Sequence, residues 1–153
     1  MKPLAITALA ALLGLGAPAC PAATYRVDDR ATLPSESTAL LRWRQIAPSA
    51  ERDDTLEGAT AVALQLDVAR WVDREASLYL VFPEQGTAAL LASWTTRGFL
   101  LPGEVRPGHR VLVYRGRIAG PVIEDTLLLR ITADGNRLAG VQRLIFHFEI
   151  DTE

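Results

Sequence analysis

The chain has 153 residues, of which 49% are hydrophobic and 22% charged, a balance far from the low-apolar, high-charge signature of disorder. A formal net charge of -2 offers no global basic field for phosphates, so no nucleic-acid partner is expected, and a single Cys excludes an internal disulfide framework and any multi-cysteine metal site. The length fits one folded unit.

Met1, Lys2 and Pro3 make a short basic start, Leu4 to Gly16 is an uncharged apolar run, and the small-residue stretch Ala17 to Ala23 follows. That order is the pattern of a secretory signal peptide, and the apolar run is too short to anchor across a bilayer core of ~30 Å. Residues 1–19 are therefore expected to be a signal, with cleavage between 19 and 23, and 24–153 to be one exported domain of the periplasm or cell surface. Cys20 has two readings. It is either the lipid-bearing first residue of a lipoprotein or a residue lost with the signal, and Pro18 makes the lipoprotein motif degenerate. Lipidation of Cys20 would be the chain's one link to a membrane.

Beyond the signal the hydrophobic period is two. Val62, Leu64, Leu66 and Val68 share one face of a predicted strand, as do Leu78, Leu80 and Phe82, and then Leu90, Ala92 and Trp94. Pro48 to Gly58 is the longest polar connection and is expected to be a loop. Gly98 breaks the third run. Arg110 to Arg115 and Thr126 to Thr132 are further strands. In the last, Val141 to Ile150, the residues Leu144, Phe146, Phe148 and Ile150 share a core face opposite Arg143, His147 and Glu149. No segment has the 3.6-residue period of an amphipathic helix.

Pro102-Gly103, Pro107-Gly108 and Gly120-Pro121 are expected turns, and Asp134-Gly135 is read as a tight turn pairing the last two strands antiparallel. Short strands with frequent turns predict an all-β fold, an antiparallel β-sandwich that is immunoglobulin-like in the broad sense. A partly open barrel is the alternative. The run Val113 to Thr132 has a strand-turn-strand rhythm similar to that of exported pilin subunits, but it covers a small part of the chain, lacks their cysteine pair and implies no function here.

His109 and His147 are the only histidines, and no His-x-His or His-Glu-x-x-His spacing exists, so neither metal nor cofactor is expected. His147 with Glu149, two residues on and on the same strand face, is the weak catalytic candidate for a small envelope hydrolase. Asp125 has inward parity and is expected to pair with an Arg at the sheet edge. The adjacent acids Glu124-Asp125 and Asp53-Asp54 do not have the opposed geometry of a glycosidase pair. No nucleophile elbow or phosphate-binding glycine loop occurs, so an enzyme is disfavoured. Trp43 shares parity with Leu41 and is expected in the core. Arg106, His109 and Arg110, at the Pro-Gly turns, are the candidate binding residues for an envelope protein or surface glycan. Tyr25 to Asp28 and the C-terminal strand are the candidate edge strands for adding a partner's strand.

Overall fold

The computed structural model describes residues 23–34, 40–44, 54–84, 90–137 and 144–152. The expected signal and Cys20 lie outside them, as do Glu51, Asp53 and Arg143. Among the described residues ten strands form two antiparallel sheets that do not close into a barrel, a β-sandwich. The strands are β1 (Ala23–Arg26), β2 (Leu33–Pro34), β3 (Arg42–Trp43), β4 (Thr55–Asp67), β5 (Glu75–Phe82), β6 (Leu90–Thr96), β7 (Gly103–Val105), β8 (His109–Arg117), β9 (Val122–Asp134) and β10 (His147–Thr152). One sheet has the order β1-β10-β5-β8. The other runs β2-β4-β9-β6-β7, with β3 also on β4. Among the described residues the only helical segment is a single 3-10 turn, Ala69–Trp71.

Strict alternation explains the layers. Leu64 and Leu66 on β4, Leu78, Leu80 and Phe82 on β5, and Phe148 and Ile150 on β10 all point between the sheets and are buried. Each such side chain contributes ~1.5–3 kcal/mol by leaving water. The outward positions between them are polar on β10 and mixed on β5. Pro107-Gly108 is a turn as expected: Gly108 has φ +82 and the His109 amide donates to the Arg106 carbonyl at 3.1 Å. That positive φ is what glycine supplies. At the start of the chain, Arg30 Nε donates to both Asp28 oxygens at 3.0 Å, and this contact lowers the Asp28 pKa to about 2.

Several expectations are corrected. β9 and β10 do not pair. β9 is flanked on both sides, by β4 over its whole length and by β6, so β10 has no free ladder there and instead inserts between β1 and β5 of the opposite sheet. Asp134-Gly135 does turn the chain, with Arg137 N donating to Asp134 O at 3.0 Å, but the next described strand, β10, belongs to the other sheet. It follows that β10 is not an edge, whereas β1 is. Thr55 to Gly58, expected in the loop, begins β4. Gly103 opens β7 rather than a turn; a Cβ there would come within 2.9 Å of the Trp94 ring. Trp43 is not core. It is 50% exposed: the two-residue strand β3 sets it opposite Leu56, and its ring lies against Gly135.

Candidate functional site

The outer face of the four-stranded sheet gathers several singled-out side chains. On β10, His147, Glu149 and Asp151 alternate outward. His147 Nε2 donates to Glu149 Oε1 at 3.2 Å, as the shared parity predicts. Arg110 projects from β8 across β5, where its guanidinium carbon lies 4.2 Å from the centre of the Tyr79 ring. It donates to Asp151 Oδ2 at 3.1 Å and to Glu149 Oε2 at 3.4 Å. The hydrogen bond to Asp151 raises the Arg110 pKa above its ordinary value. Thr24 on β1 donates to Asp151 Oδ1 at 2.6 Å.

This network joins His147 and Arg110, which the sequence assigned to different sites. Arg110 is not at a loop tip: its outward parity and two carboxylates draw it onto the sheet face. Arg106 is exposed on the turn, and exposed His109 donates through Nδ1 to the Pro107 carbonyl at 3.1 Å. The three candidate binding residues are therefore divided between the turn and the sheet.

Both Glu149 oxygens are engaged, one by His147 and one by Arg110. Among the described residues the hydrogen-bond partner of the His147 ring is Glu149, not a side-chain hydroxyl. Among them too, no group of three His, Cys, Asp or Glu side chains is arranged to hold a metal ion.

A second constellation was not foreseen. Asp125 is buried on β9, but no Arg meets it. Its Oδ1 accepts from Gly98 N at 2.7 Å and from Thr126 N at 2.6 Å, and its Oδ2 accepts from Leu100 N at 3.0 Å. The carboxylate has met backbone amides because the β6–β7 connection folds over it. Gly98 makes this approach feasible, since a Cβ would lie 2.7–2.8 Å from the carboxylate.

The rest of that connection is equally fixed. Arg97 N donates to Thr126 O at 3.1 Å and Leu101 N to Val113 O at 2.7 Å. Thr96 Oγ1 donates to Leu100 O at 2.7 Å and Trp94 Nε1 to Leu101 O at 3.0 Å. Leu100 is buried as a plug between the layers, while its neighbours turn outward: Phe99 is 56% exposed and Leu101 is 45% exposed. Phe99 meets Tyr114 edge to face, with ring centres 5.7 Å apart. The sequence signals for this loop were the Gly98 break and the inward parity of Asp125. What they could not supply was the contact between them, which lies across 27 residues of chain. Trp71 and Trp94 are buried, so with Trp43 remote and exposed the three tryptophans form no common stacking surface.

Compared with protein-family models, curated proteins and solved structures, the chain shows no match.

Proposed function

We propose that this chain is exported and works in the cell envelope as a non-enzymatic binding or assembly module, recognising an envelope protein or surface glycan through loop 97–101. The observation that carries this reading is the Asp125 clamp. A buried carboxylate and both chain neighbours hold the loop backbone, while Phe99 and Leu101 stand in water. Fixing a loop in advance removes the ordering cost of binding, and apolar side chains on such a loop are where interface energy concentrates. Export is supported by the basic, apolar, small-residue order of the first 23 residues.

The experiment is capture of partners from a native envelope fraction, with binding measured for the captured species. Phe99→Ala is expected to weaken binding ~10-fold or more, in line with truncation of an interface anchor. Arg106→Ala and His147→Ala should leave it unchanged. Loss of function only on His147→Ala, with folding intact, would replace the binding module with the hydrolase. Mass spectrometry of the exported protein should find an N-terminus between Cys20 and Thr24. An intact Met1 in the envelope fraction would defeat export, and a diacylglyceryl mass on Cys20 would establish lipid anchoring.

A further inference from the structure

The outer face of the β4-β9-β6 sheet is unlike that of the other layer. Reading across the strands, Leu33, Ala63 and Thr126 form one row, and Ala61, Leu128 and Thr95 the next. Ala59, Arg130 and Ser93 form a third, and Glu57, Thr132 and Leu91 a fourth. Leu33 and Leu128 are 66% and 40% exposed. Ala, Thr and Ser give low relief, so another sheet can approach to the usual ~10 Å.

We infer that this face binds a second copy of the chain, stacked sheet on sheet with strands antiparallel and Leu128 at the two-fold axis. The charges at its margins select this arrangement. Arg130, 65% exposed and 3.8 Å from Glu57 of its own chain, lies one row to one side of Leu128, and Glu124 two rows to the other along the same strand. Reversing the strand direction brings each Arg130 over Thr126 and within reach of Glu124 of the other copy. The same operation sets Arg97, level with Thr126, close to Glu104 of the other copy, since Glu104 pairs with Ser93 in the Arg130 row. Stacking with strands parallel would oppose Arg130 to Arg130 and Glu124 to Glu124. A two-fold contact must be self-complementary, and only the antiparallel one is.

Three strands at ~4.8 Å spacing and four rows at ~6.8 Å give a flat footprint of roughly 400 Å² per copy. That is about half of the ~800 Å² per partner of a standard interface, the size of a weak, concentration-dependent contact. The rows of this face hold neither Phe99 nor Leu101, and Arg97 at its margin is the one residue it shares with loop 97–101, so Phe99→Ala distinguishes this inference from partner binding by the loop.

Sedimentation velocity of the purified protein over a range of concentrations tests it. The expected result is a species of twice the chain mass. Leu128→Glu, or Thr95→Lys as an independent exposed variant, should reduce it to the single mass with an unchanged circular dichroism spectrum. Arg130→Glu should weaken the dimer and the double variant Arg130→Glu/Glu124→Arg should restore it, whereas Phe99→Ala should leave it intact. A protein of single mass at every concentration overturns the inference. So does a dimer indifferent to both Leu128→Glu and Thr95→Lys.

Discussion

Asp125→Ala is expected to lower the stability of the protein by about 3 kcal/mol or more, an effect usual for a broken buried charge network rather than for one lost hydrogen bond. Three backbone amides, those of Gly98, Leu100 and Thr126, would lose a charged acceptor. The Leu100 amide is buried, and so is its side chain, so water cannot take over without the plug lifting from the core. Asn at this position keeps one acceptor oxygen but sets an NH2 group against an amide donor, so Asp125→Asn should fall between wild type and Ala. Gly98→Ala should also destabilise, because its methyl group would press on the carboxylate. The penalty for Gly98→Ala should shrink in the Asp125→Ala background. Denaturant melts of the four members of that cycle check both points, and additive losses would separate the glycine from the clamp. A loss below ~1 kcal/mol for Asp125→Ala would show that the loop is held by its other bonds.

Phe82→Ala should cost ~3–5 kcal/mol, the range for emptying a buried aromatic site. Phe82 is fully buried, and its ring centre is 4.8 Å from that of Phe146. Phe146→Ala should cost less, because Phe146 is half-buried and precedes β10 rather than belonging to it. His147→Ala should cost least, since Glu149 keeps Arg110 as a partner when the imidazole is gone. Melts of the three variants would establish the order, and a greater loss at His147 than at Phe146 would contradict the observed facing of the last strand.

The facing of strands was legible in the sequence wherever one face had to be dry. Leu64 and Leu66, Leu78 to Phe82, Leu90 to Trp94 and Phe148 to Ile150 alternate in the structure as their period implies. Pairing between strands was less accessible, because a turn such as Asp134-Gly135 reports that the chain reverses and not which layer it enters. The His147–Glu149 contact follows from local parity alone. Arg110 joins it from β8, through a register set by β5, and no local pattern encodes that register. Trp43 shows the opposite failure: Leu41, of the same parity, packs against the core, but the Trp43 ring lies against Gly135 and stays half exposed.

The placement of β10 bears on when the protein can fold. The four-stranded sheet has its C-terminal strand inside it, hydrogen-bonded to β1 on one side and β5 on the other, with Ala23 opposite Thr152. Until β10 has been made, β1 has no partner in that sheet and β5 lacks one of its two neighbours, so that layer cannot close before β10 is present. Pairings between the two ends of a chain are slow to form, since the entropy of closing so large a loop is spent before any contact repays it. The other layer carries no such dependence: β4, β9, β6 and β7 pair among themselves within residues 55–134, so one sheet can be complete while the opposite layer still waits for β10.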